Sequence, residues 1–205
     1  MCSLTGRYQT SFENVIAKDY REVKEKGAKA YVEELERALL DDSFWREALP
    51  ERLKTTMIRS SSYAAYLAAM IKNGEMSLFS KERSMKDLVE EQVENSQLFP
   101  KIYLEKNGIT SKELYGQVAN CIYMDKTVKA ALKRKAPVEY LPEMEKADET
   151  KFGQQTLTRE EICASLIANA IPVETGDMTV KDFEEFLYLR RKAMAEKIHT
   201  YYKTL

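Results

Sequence analysis

Apolar residues recur three and four positions apart along most of this chain, the period an α-helix requires to bury one face. Phe12, Val15, Ile16, Tyr20 and Val23 follow it in "FENVIAKDYREVKEKG", and Tyr31, Leu35, Leu39 and Leu40 follow it beyond Gly27. It returns near the C-terminus at Phe183, Phe186, Leu187 and Met194, on one long amphipathic helix. Thr10 or Ser11, Thr158 and Thr179 stand where side-chain caps are needed. "SYAAYLAAMIKNG" is the most apolar segment and reads as the core helix, ended by Gly74. Pro50 is expected to break the short helices of "SFWREALPERLKTTMIRSS". Seven Gly and five Pro are too few for a turn-rich all-β chain.

The texture changes between Ser96 and Met124. Short apolar runs, Pro100 and the β-favouring "VANCIYM" predict a small two-strand element, its connection containing a helical turn in "SKELYGQ". "KTVKAALKRK" returns to helix, Pro137 opens another, and the polar stretch from Lys146 to Thr156 reads as loop. The fold class is therefore mainly α (α+β), a helical domain with a small two-strand ββα insert. The chain is expected to form a single domain over 1–205. Its parts are an N-terminal helical part over 1–92, the ββα unit over 93–145, and a C-terminal helical part over 146–205.

Composition excludes several classes of function. The formal net charge is −1, so no global field draws in nucleic acid, and contact with DNA would need a local basic patch. Cys2, Cys121 and Cys163 have no CxxC spacing, which predicts reduced thiols, a cytoplasmic location and no zinc site. No apolar run is long enough for a membrane span. The one histidine, His199, falls on the terminal helix and reads as a solvated residue, so neither a Ser-His-Asp nor a Cys-His arrangement can be assembled around a buried imidazole. No glycine-rich phosphate loop is present.

The segments "SQLFPKIYLEKNGI" and "GQVANCIYMDKTVKAALKRKAPVEYL" carry a resemblance. They are similar to the C-terminal HNH-like (ββα-metal) region of the GmrSD-like restriction endonuclease family, whose run is close to HHIFPKxYLxxxGI followed by an Asn-containing strand and KAPxEYL. Leu98, Phe99, Pro100, Tyr103, Leu104, Gly108, Asn120, Asp125, Lys135, Ala136, Pro137, Tyr140 and Leu141 fall in step. "GRYQTSFENVIAKDY" and "DFEEFLYLRR" resemble the flanks of the same region, so the likeness covers nearly the whole chain. In that family a ParB-like NTPase domain precedes the helical region, and this chain is expected to lack it. "FGQQTLT" resembles the NTPase signature DGQQRLTT. Here Phe152 and Thr156 replace its charged residues, and the match reads as coincidence in a loop.

The departures fall on the chemistry. The paired histidines of the motif match Ser96 and Gln97, and its later Asn matches Lys129. An amide cannot take up and release a proton near neutral pH, and a lysine repels a metal ion. Of the usual set only Asn120 is retained. The resemblance therefore implies a catalytically inactive HNH-nuclease-like domain with no cofactor and no metal ligands, binding DNA or a partner protein in bacterial restriction or defence. A basic segment would supply phosphate contacts through Lys101, Lys126, Lys129, Lys133, Arg134 and Lys135, with Lys126, Lys129 and Lys133 on one helix face. Two alternatives stay open. One is an active endonuclease holding Mg²⁺ through Glu94, Asn95, Asn120 and Asp125. The other is a protein-interaction module without nucleic-acid affinity, whose partner is another protein or the missing NTPase domain.

Overall fold

The computed structural model describes the whole sequence, Met1–Leu205, and the helical period is realised along most of it. A short α1, Cys2–Thr5, precedes α2, Phe12–Lys26, and α3, Ala28–Leu39. Gly27 separates the last two at φ 83°, a conformation that a side chain resists. The break expected at Pro50 does not occur. A π-helical turn, Phe44–Ala48, leads directly into α4, Leu49–Arg52, and Pro50 lies in its first turn, where the ring's fixed φ is already helical.

The apolar segment forms α5, Ser61–Lys72, with Ser60 accepting from the Tyr63 N–H and Gly74 turning left-handed after its end. It buries Tyr63, Tyr66, Ala69 and Met70, as a core helix should. Helix α6, Met85–Glu90, starts at a reciprocal cap between Ser84 and Asp87.

Strand β1, Ser96–Gln97, then pairs antiparallel with β2, Cys121–Ile122, placing Ser96 opposite Ile122 and Gln97 opposite Cys121. The connection holds α7, Lys101–Lys106, the expected turn as α8, Lys112–Tyr115, and a 3-10 turn over Val118–Asn120. Helix α9, Lys126–Leu132, follows β2 and completes a strand–connection–strand–helix unit. Helix α10, Pro137–Lys146, starts at its proline.

A second departure follows. The stretch read as loop pairs as a hairpin, β3, Glu149–Phe152, with β4, Gln155–Thr158, turning at Gly153 with φ 65°. Two buried apolar side chains, one per strand, explain it. Phe152 stacks on Phe79 at 5.4 Å between ring centroids, and Leu157 is 2% exposed. Gln155 adds a tie: its Nε2 donates to the Phe79 carbonyl at 3.0 Å and its Oε1 accepts from the Lys81 N–H at 2.9 Å. The chain ends with α11, Arg159–Ala168, capped reciprocally by Thr158 and Glu161, a 3-10 turn capped by Thr179, and α12, Phe183–Tyr202. The protein is thus mainly helical with two small two-stranded sheets.

One continuous apolar cluster runs from Leu4 through Leu49, Tyr66, Phe99, Leu141 and Phe186 to Ile198. At its centre Phe99 meets Phe186 at 4.8 Å and Phe183 at 5.3 Å, which seats the ββα unit on α12. Burying each such side chain contributes about 1.5–3 kcal/mol. The N-terminal hairpin departs from this scheme. No residue of α2 is buried, and its stripe of Phe12, Ile16 and Tyr20 faces solvent. Polar contacts hold α2 instead: Asp19 accepts from Arg7, from Tyr8 Oη at 2.8 Å and from Tyr31 Oη at 2.7 Å. His199, read as solvated, stacks on Trp45 at 4.2 Å, and burial lowers its pKa. No helix is long and apolar enough to cross a membrane.

Candidate nucleic-acid interface

The two-strand pairing is only two residues long on each side, so side chains must fix what the ladder leaves open. Asn120 does this where the strands meet. Its Oδ1 accepts from the Phe99 N–H at 2.9 Å, and its Nδ2 donates to the Phe99 carbonyl at 3.0 Å and to the Tyr115 carbonyl at 2.9 Å. The residue is fully buried, and all its lone-pair and N–H capacity toward these groups is spent on backbone. Its place is structural, in agreement with the ordinary role of an Asn at a strand entry.

Gln97 is spent in the same way. Its Nε2 donates to the Tyr115 carbonyl at 3.1 Å and its Oε1 accepts from the Lys101 N–H at 3.0 Å. Pro100 has no side chain to cap α7, and Gln97 supplies that acceptor from outside the helix. Gln97 is thus an amide brace between β1, α7 and α8. Ser96, its neighbour, differs: its hydroxyl is buried and has no partner.

Ser96, Gln97 and Lys129 nevertheless line one cavity of about 440 Å³. Leu98, Ile102, Met124, Leu132 and Tyr140 give it apolar walls. Lys101, Lys129, Arg134 and Lys135 bring four basic side chains to it, against one carboxylate, Glu94. Lys101 is partly answered by Glu105 at 3.5 Å, whose charge raises the lysine pKa. Lys129, Arg134 and Lys135 make no ion pair. The local field is therefore positive although the chain is nearly neutral.

Two of the expected basic residues lie elsewhere. Lys126 and Lys133 are exposed and do not line the cavity. Lys133 does not share a helix face with Lys126 and Lys129, because α9 stops at Leu132 and Lys133 and Arg134 are left-handed, at φ 50° and 60°. Asp125 caps α9 through Thr127, accepting from its N–H at 2.8 Å and its hydroxyl at 2.6 Å. The reversal after Leu132 brings Arg134 and Lys135 back to the cavity beside Lys129.

Sequence reasoning missed the support behind this site. Arg190 is fully buried on α12, and its Nη1 donates to the carbonyls of Ala119 at 2.7 Å and Cys121 at 2.8 Å. Arg191 reaches Gln117 Oε1 at 2.9 Å, and burial lowers its pKa. Neither has a carboxylate partner, so both charges rest on backbone and amide dipoles. A signal was present: with Phe183, Phe186, Leu187 and Met194 on the buried face, the same helical period selects Arg190 and Arg191. Charged residues there declare a buried polar contact.

The residues present do not fit a divalent ion. Nowhere do three Asp, Glu, His or Cys side chains gather to hold one. Glu94 and Asn95 line the cavity, whereas Asn120 and Asp125 do not, and the oxygens of the latter two are engaged as described. Lys129 would oppose a cation directly. Comparison with protein-family models, curated proteins and solved structures finds no match to this chain.

Proposed function

We propose that this chain is a degenerate relative of HNH-type restriction nucleases that binds DNA without cleaving it, in a bacterial restriction or defence setting. One observation carries the reading. Four basic side chains gather on the cavity that Ser96 and Gln97 line, where the resembling motif places its histidines. In place of those histidines stand an unpartnered hydroxyl and an amide committed to backbone, so neither of the two positions supplies an imidazole base, and Glu94 is the one carboxylate on the cavity. Phosphate binding needs only the positive field, which survives.

The test is fluorescence anisotropy with a labelled duplex across a salt series. Neutralising one phosphate contact changes the slope of log K against log salt by about 0.9. Lys129→Glu with Lys135→Glu should weaken binding and flatten that slope, with plasmid left intact in Mg²⁺. Salt-independent binding, or none, rejects the reading, and Mg²⁺-dependent cleavage replaces it with the active endonuclease. A second reading, a protein-interaction module without nucleic-acid affinity, draws on the solvent-facing stripe of α2, with Phe12 56% and Tyr20 70% exposed. Loss of all duplex binding at low salt would favour it.

A further inference from the structure

We infer that the cavity accepts one unstacked nucleotide, its base against the apolar walls and its phosphate among the lysines at the mouth. The inference rests on the DNA-binding reading and deepens it. Contact with duplex phosphates alone calls for a basic surface, and a surface can be flat or convex. This site is instead concave, and its volume of about 440 Å³ lies within the roughly 300–1,000 Å³ typical of small-molecule pockets. A duplex cannot enter such a space, whereas a single base turned out of its stack can.

The distribution of groups agrees. Leu98, Met124, Leu132 and Tyr140 are each at most 6% exposed and form a closed apolar floor suited to the face of a base. Ile102 is 47% exposed and stands at the opening. Ser96 also lines the cavity, beside the apolar floor. Charge sets the path of the strand. A second cavity of about 330 Å³ adjoins the first through Leu132, Lys135 and Tyr140, but Glu143 and Glu149 lie on it. Those carboxylates repel phosphate, so the backbone is directed along the Lys101 and Lys129 side.

The experiment compares three labelled probes by anisotropy: a perfect 12-mer duplex, the same duplex with a one-nucleotide bulge, and a 12-mer single strand. Stacking and enclosure of one base should favour the bulged and single-stranded probes by about tenfold over the perfect duplex. Ile102→Trp fills the mouth from an exposed position that the fold does not need. It should abolish the preference for the bulged and single-stranded probes over the duplex. Circular dichroism confirms that the variant is folded. Equal binding of all three probes, or a preference that survives Ile102→Trp, overturns the nucleotide pocket and leaves the DNA-binding reading standing. No salt-dependent binding of any probe overturns both.

Discussion

Asn120 and Phe99 exchange a pair of hydrogen bonds, the Phe99 N–H to Asn120 Oδ1 at 2.9 Å and Asn120 Nδ2 to the Phe99 carbonyl at 3.0 Å. A side-chain amide thus acts as a strand partner where the sheet has run out. Asn120→Ala leaves both buried backbone groups of Phe99 without that partner. It should lower stability by about 2–4 kcal/mol in urea denaturation. Asn120→Asp sets a buried carboxylate against the Phe99 and Tyr115 carbonyls and should destabilise at least as much as Asn120→Ala.

Gln97→His tests the amide brace and, under the proposed reading, whether an imidazole alone brings cleavage. The imidazole is shorter than the Gln side chain and holds its one donor and one acceptor in a rigid ring, so it should lose at least one of the bonds to the Tyr115 carbonyl and the Lys101 N–H. The expected outcome is a loss of about 1 kcal/mol, the usual worth of a helix cap, with no Mg²⁺-dependent nicking of plasmid on a gel.

Arg190→Leu removes the donor from the Ala119 and Cys121 carbonyls, both of which it serves from a fully buried position. The variant should be less stable by about 2–4 kcal/mol, since the carbonyls lose their partner and are not rehydrated. Arg191→Met should cost less, because only Gln117 loses a bond. Thermal melts of the two variants rank them.

Lys133 adopts φ 50° immediately after α9. A side chain in that region is strained by about 1–2 kcal/mol, and glycine is not. Lys133→Gly should therefore gain about 0.5–1 kcal/mol of stability, read as a higher chemical-denaturation midpoint, after the added freedom of the unfolded chain is deducted.

The N-terminal hairpin should be acid-sensitive. Arg7, Tyr31 and Tyr8 hold the Asp19 carboxyl well below the usual carboxylate range, and the same contact pushes the Tyr8 hydroxyl up to about 12. A depressed acid contributes stability that is present above its unfolded pKa of about 3.9 and is lost as pH falls toward its folded value. Amide protection factors in α2, taken relative to the unfolded chain at the same pH, should therefore fall below about pH 4, while those of α5 hold. Asp19→Asn should give the low protection of α2 at neutral pH and remove its dependence on acid.

The helices were legible in the sequence because their period, caps and stops are local. Gly27, Pro137 and Thr158 mark ends that the structure places within a residue or two. The strand–connection–strand–helix order was legible for the same reason. What local pattern could not decide was the company each face keeps. The stripe of α2 has the same period as that of α12, yet one faces water and the other the core, because only packing against distant segments assigns a face. The β3–β4 hairpin depends on Phe79, which lies 73 positions before Phe152 in "KFGQQTLT" by their residue numbers.

By itself the sequence determined where most helices begin and end, and that no imidazole stands at Ser96, Gln97 or Lys129. Tertiary structure decided that Gln97 and Asn120 are consumed by backbone and that Lys129, Arg134 and Lys135 converge while Lys126 and Lys133 do not. It also decided that two arginines beneath the sheet bear its weight. The reason is physical: hydrogen-bond partners and fields depend on distance in space, and a chain that reverses after Leu132 sets those distances through contacts its local sequence does not encode.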